Sequence, residues 1–193
     1  MLDNLKKYNI ILGSASPRRQ ELLRGINIDF EVLPLSVDED YPTNLNPHDI
    51  PEYLAVKKSD AYLKLPLSDN TLIITADTIV IIDNNILGKP TDKEEAKAML
   101  RKLSDRTHDV ITGVCIRTKT NRKIFKVVSS VRFSHISDAE IDYYLDKYAP
   151  YDKAGSYGVQ EWIGYVAVED IQGSYFNVMG LPIQRLYHEL KSW

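Results

Sequence analysis

Leu72-Ile73-Ile74-Thr75-Ala76-Asp77-Thr78-Ile79-Val80-Ile81-Ile82 holds a single charge, Asp77, in an otherwise apolar run. It is too short to cross a bilayer, which needs about 20 apolar residues, and it has the length of a buried strand. The run therefore reads as a central strand. An ionised carboxylate inside such a strand is costly unless it is paired, hydrogen-bonded or bound to a metal. Asp77 is accordingly expected at a strand end or cleft, where it holds a divalent cation or acts as a general base on water.

Working outward, Tyr8 to Gly13 reads as a short strand. The helix after it has Ser16 as N-cap, Pro17 as first residue, and Leu22, Leu23 and Ile26 on its apolar side. Phe30 to Leu33 reads as a second strand, and Pro47 to Leu65 as a helix turning Ile50, Tyr53, Leu54 and Leu63 inward. Beyond the central strand, Asp83-Asn84-Asn85 turns the chain into Ile86 and Leu87. Thr91 with Glu94 then has capping-box spacing before a helix carrying Ala96, Met99, Leu100 and Leu103. Strands are expected at Val110 to Thr118 and Lys123 to Phe133, and Ser137 with Glu140 repeats the capping-box pattern before Ile141, Tyr144 and Leu145. A glycine-rich stretch from Ala154 to Gly164, a strand near Tyr165 to Ile171, the segment Gly173 to Gly180 and a C-terminal helix complete the chain. Helices alternating with strands place it in the α/β class, and with no repeat or linker it reads as one domain over residues 1–193.

Composition narrows the function. The 193 residues carry 24 Lys+Arg against 27 Asp+Glu, a formal net charge of -3, which argues against a dedicated nucleic-acid binder. Cys115 is the only cysteine, so an internal disulfide and a cysteine metal cluster are excluded, and a reducing, cytoplasmic setting fits best. Residues 1–11 lack the apolar region of a secretory signal, and no run is long enough for a membrane span.

Several residues look out of place. Arg18 and Arg19 sit in the first turn of a helix, where the macrodipole is already positive. With Ser14 and Ser16 they have the makings of a phosphate cradle, although the spacing is neither that of a Walker A loop nor that of a dinucleotide fingerprint. Lys89, in Gly88-Lys89-Pro90, can return to the end of the sheet that holds Asp77 and neutralise phosphate. Asp38 and Glu39 form a carboxylate pair suited to a hard cation, while Lys57 and Lys58, adjacent on a helix, read as an exposed face. The loop from Asp152 to Gln160 is dense in glycine and polar groups, with Gln160 offering donor and acceptor to a base edge. The four histidines have no metal-ligand spacing and read as structural or surface residues.

Taken in order, Ser14-Ala15-Ser16-Pro17-Arg18-Arg19, Ala76-Asp77-Thr78, Gly88-Lys89-Pro90, Asp152-Lys153-Ala154-Gly155 and Gly173-Ser174-Tyr175 through Gly180-Leu181-Pro182 resemble the Maf-like nucleoside triphosphate pyrophosphatases over essentially the whole chain. The resemblance implies a two-lobed, mixed-sheet fold of the inosine triphosphatase-like (Maf/Ham-like) kind with a nucleotide cleft between lobes. It implies hydrolysis of a nucleoside triphosphate to monophosphate and pyrophosphate, assisted by a divalent cation, Mg²⁺ or Mn²⁺, in a homodimer. Asp77 matches the family's proton acceptor; Ser14, Ser16, Arg18, Lys58 and Lys89 are implied around the triphosphate, with Asp77 and Glu39 as candidates for the metal. Arg19, Thr78 and Gln160 match the dTTP/UTP branch, and Gly13-Ser14 stands where many members have Ala-Ser. Whether Asp77 is base, metal ligand or both stays open, as does a second reading, a nucleotide-binding regulator linked to septum formation.

Overall fold

The computed structural model describes residues 1–193. Its elements run β1 (Asn9–Leu12), α1 (Pro17–Arg24), β2 (Glu31–Val32), α2 (Ile50–Tyr62), β3 (Thr71–Ile82), β4 (Asn85–Leu87), α3 (Lys93–Leu103), β5 (Thr107–Arg117), β6 (Arg122–Phe133), α4 (Asp138–Tyr148), α5 (Trp162–Val166), β7 (Val168–Gln172), α6 (Tyr175–Val178) and α7 (Ile183–Lys191). The strands form one sheet in the order β2-β1-β3-β5-β6-β7, with β4 paired to β3. β1 is parallel to β2 and to β3, whereas β4 on β3 and β7 on β6 are antiparallel, so the sheet is mixed, as the α/β reading expects. The apolar run around Asp77 is the central strand, and apart from Thr78 every residue of β3 is buried.

The chain divides into two compact units, and β3, β5 and β6 are each shared between them. The first comprises Met1–Asp77, Thr112–Val127 and Gly180–Trp193. Within it the parallel register sets Asn9 opposite Thr71 and Leu12 opposite Ile74. Helix α2 is tied down along its length: Thr75 Oγ1 donates to the Ala55 carbonyl at 2.7 Å, Ser59 Oγ meets Cys115 Sγ at 3.2 Å, and Lys126 pairs with Asp49 at the N-cap. Gly113 on β5 lets the start of α2 touch the sheet, since a Cβ there would run into the backbone of Pro51 and Glu52.

The second unit comprises Thr78–Ile111 and Val128–Met179. Its core gathers Leu100 and Leu103 of α3, Tyr144 and Leu145 of α4, and Phe133 of β6. Ion pairs from Lys97 to Asp142 and from Arg101 to Asp138, each at 2.7 Å, flank the two helices. His108 is buried here at 2% exposure, with Nε2 2.7 Å from the Tyr157 hydroxyl and its ring edge-on to Phe133. The structural reading of that histidine suits this position.

The structure moves several expected boundaries. The N-cap of α3 is Asp92, which accepts from Glu95 N at 2.8 Å, and Thr91 donates to the Glu95 carboxylate; the expected Thr91–Glu94 box is displaced by one residue because the carboxylate of Asp92 caps more strongly than a threonine. The Ser137–Glu140 capping box is present with both of its bonds. Where a strand was expected at 165–171, the chain forms a turn of helix to Val166 and only then β7, since so short an apolar run does not define a period. Tyr53 and Leu63, expected inward on α2, are exposed: the buried stripe runs through Ile50, Leu54, Ala55, Ser59 and Tyr62, and the helix stops before Leu63.

Two outcomes follow. Gly113→Ala drives a methyl group into backbone that cannot rotate away, an overpacking cost of about 3 kcal/mol, and calorimetry should show a midpoint roughly 10 °C lower. Burial pulls His108 from 6.5 down to about 4, so the folded chain resists a proton that the unfolded chain accepts. Its contribution is therefore full above pH 6.5 and is lost as pH falls towards 4, by about 3 kcal/mol in all. Urea titrations across that window should show a shallower loss in His108→Gln than in the parent.

Candidate active site

Asp77 lies in the middle of β3 rather than at a strand end, at 7% exposure. The strand tolerates it because α2 delivers the opposite charge. Lys58 Nζ donates to Asp77 Oδ1 at 2.6 Å and to Glu39 Oε1 at 2.7 Å, so one ammonium joins a carboxylate of the strand to a carboxylate of the loop after β2. The Lys58 side chain is only 18% exposed, which corrects the reading of Lys57 and Lys58 as an exposed face. Lys57, one residue earlier and so about 100° round the helix, pairs with Asp40 instead.

The serine–arginine segment is built close by in the same unit. Ser16 is the N-cap of α1 with Pro17 behind it, but its hydroxyl makes no capping bond. Ser14 Oγ, buried, accepts from Ser16 N at 3.3 Å and from Arg19 Nη1 at 3.4 Å. Arg19 further donates from Nε to the Gly180 carbonyl at 2.7 Å and from Nη1 to the Ala76 carbonyl at 2.9 Å, gripping the backbone immediately before Asp77. Desolvation lowers the pKa of Arg19, the charges of Asp77 and Glu39 raise it, and the like charge of Arg18 lowers it, which sets all four in one electrostatic neighbourhood.

The remaining expected residues belong to the second unit. Thr78 follows Asp77 on β3 and is half-buried. Lys89 is exposed just after β4, next to Gly88, whose carbonyl accepts from Gly155 N at 3.1 Å. Gln160 is half-buried with Oε1 shielded from solvent and without a hydrogen bond. The loop before it is held by a buried Lys153, 3.1 Å from Glu161 and 2.8 Å from Asp152, while Tyr144 donates its hydroxyl to Glu161 and accepts from Gly158 N at 3.0 Å.

The sequence pattern described as Maf-like protein matches residues 9–193. The chain belongs to the Maf family. A protein of Porphyromonas gingivalis bearing the name dTTP/UTP pyrophosphatase is 58% identical to this Maf-family chain over 195 residues, covering 100% of this chain and 98% of its own. One of Parabacteroides distasonis with the same name is 58% identical over 192 residues, covering 99% of each. Among solved structures, that of the Staphylococcus aureus Ham1 protein superposes with a TM-score of 0.48 at 20% identity, over 65% of this chain and 71% of that one.

The family implies a divalent cation. No group of three or more His, Cys, Asp or Glu side chains gathers as a metal site in this Maf-family chain. What is present is a pair of hard carboxylate oxygens, from Asp77 and Glu39, drawn to one cationic point. That donor set fits Mg²⁺ or Mn²⁺, which commonly use one or two carboxylates and complete the shell with water and substrate phosphate. The sequence marked Lys153 within a motif and Tyr144 as an apolar position, but not Glu161, on which both converge. A signal existed: a lysine in a glycine-rich loop that becomes buried needs a carboxylate, and Glu161 is the next one along the chain.

Removing Lys58 should take from Asp77 and Glu39 the ammonium that joins them. Lys58→Met is expected to lower unfolding stability at pH 7 by about 3 kcal/mol, and adding Asp77→Asn to recover most of it. Urea titration of the four chains of that cycle checks both.

Proposed function

We propose that this Maf-family chain hydrolyses nucleoside triphosphates between the α and β phosphates, releasing a monophosphate and pyrophosphate, with dTTP and UTP as its substrates. The observation that carries this reading is the 58% identity, over essentially the full length of both chains, to relatives that bear the name dTTP/UTP pyrophosphatase. The carboxylates joined by Lys58 supply a chemistry for it.

In the proposed reaction a water attacks the α-phosphorus in line with the departing pyrophosphate. Asp77 accepts the proton of that water at a carboxylate oxygen. Arg18, Lys58 and Lys89 offset the negative charge of the triphosphate, and Ser14 and Ser16 donate hydroxyl or backbone hydrogen bonds to it. Asp77 and Glu39 would hold the divalent cation, which when bound supplies further charge neutralisation and a template for the phosphates. Thr78, Gln160 and Arg19 select the base, Gln160 through an amide that presents a donor and an acceptor to a pyrimidine edge. Arg19 contributes by holding the Ala76 carbonyl, and with it the strand that presents Asp77.

No helix is long and apolar enough to cross a membrane. We place the protein in the cytoplasm as a homodimer, a reducing setting in which the buried thiol of Cys115 is at ease.

Purified protein with Mg²⁺ or Mn²⁺ should release pyrophosphate from dTTP and UTP in preference to purine triphosphates. Release of orthophosphate, or a purine preference, overturns the substrate assignment. Asp77→Asn keeps the shape of the side chain and should lower kcat about a thousandfold with an unchanged circular-dichroism spectrum. Near-parent turnover would remove Asp77 from the proton transfer.

A further inference from the structure

Tyr62 is among the largest fully buried side chains, at 1% exposure, and its polar end has no part in the chemistry described above. It closes α2 one turn after Lys58 and therefore shares that residue's face of the helix. Its hydroxyl donates to the carbonyl of Leu33. The ring packs against Ile11 and Ile73, with Leu33 and Leu35 beside it. Leu33 and Leu35 begin the segment that leads from β2 to Glu39 and Asp40, whose carboxylates end on Lys58 and Lys57. One helix thus fastens both ends of that segment, by the phenol at its start and the lysines at its finish.

Tyr62 also bears on the serine–arginine segment. A Cβ at Gly13 would lie 2.6 Å from the Tyr62 hydroxyl oxygen, 3.0 Å from Cζ and 2.8 Å from Thr75 Cγ2. The residue before Ser14 is therefore held against the phenol, and the departure from Ala at position 13 has a steric reason in this chain.

We propose that Tyr62 is a positioning residue for Glu39, Lys58 and Asp77, holding in register the two segments that bring Glu39 and Ser14 to them. It touches neither substrate nor metal and acts through Leu33 and Gly13. Its consequence for turnover rests on the function proposed above, but its effect on the segment 33–40 does not.

The test is Tyr62→Phe, which keeps the ring and deletes the hydroxyl. Loss of one hydroxyl should leave the fold intact, with a thermal midpoint within about 5 °C of the parent. Hydrogen exchange of the unliganded protein should show the Leu33 amide, which donates to the Leu12 carbonyl, exchanging roughly tenfold faster, with the α3 amides unchanged. With dTTP, kcat should fall about tenfold in the parent background and less than about twofold when the change is added to Glu39→Gln, because the two act through one element. Gly13→Ala should reproduce the exchange pattern by displacing the phenol. Unchanged exchange of the Leu33 amide, or a full tenfold loss on top of Glu39→Gln, overturns the proposal. A parent protein that releases no pyrophosphate overturns the reaction instead, and the exchange measurement then still decides whether Tyr62 anchors the segment.

Discussion

The charge of Asp77 is the constraint around which this molecule is arranged. A carboxylate at 7% exposure inside a central β-strand is tolerated only with compensation, and Lys58 provides it at 2.6 Å. An exposed ion pair contributes at most about 1 kcal/mol, whereas removing one partner of a buried pair costs about 3 to 5 kcal/mol. The pair here lies near the buried end of that range, with side chains 18% and 10% exposed. The rest of the first unit follows from the need to hold an ammonium at that spot: α2 must be docked at a fixed height and rotation on the sheet.

Three contacts fix that docking. Gly113 admits the start of the helix, Thr75 holds its middle through the Ala55 carbonyl, and Tyr62 closes its end over Gly13 and the backbone of Leu33. Arg19 adds a bond to the Ala76 carbonyl. Stability and proposed catalysis therefore draw on the same interactions. The lysine that neutralises Asp77 in the folded chain is one of the cations proposed to meet the triphosphate, and the same two carboxylates are those proposed for a divalent ion.

Much of this could be read from residues alone. The apolar run marked the central strand because a β-branched stretch of that length, broken by one charge, suits the buried interior of a sheet, and the Ser137–Glu140 spacing marked a helix start that the structure contains. The chemistry-bearing residues of the first unit were also visible, since arginines at a helix start and a lone strand carboxylate each demand a partner. The identity of that partner was not. Lys57 and Lys58 are chemically alike in sequence, and only the rotation of α2 sends one to Asp77 and the other to Asp40. Tyr62 escaped notice for the same reason, because a tyrosine on an apolar face reads as core until the backbone facing its hydroxyl is known. The missed turn of helix at Trp162–Val166 reflects a run too short to show a period, and the displaced cap at Asp92 a competition between neighbouring cap residues that differ by less than about 1 kcal/mol.

The reaction proposed for Asp77, Lys58 and Glu39 is attack of water on the α-phosphorus. Turnover of dTTP in ¹⁸O-labelled water, followed by mass spectrometry of both products, tests it directly. Attack at the α-phosphorus should leave one labelled oxygen in the monophosphate and none in the pyrophosphate. Label in the pyrophosphate, or in released orthophosphate, would place the attack on another phosphorus and contradict it.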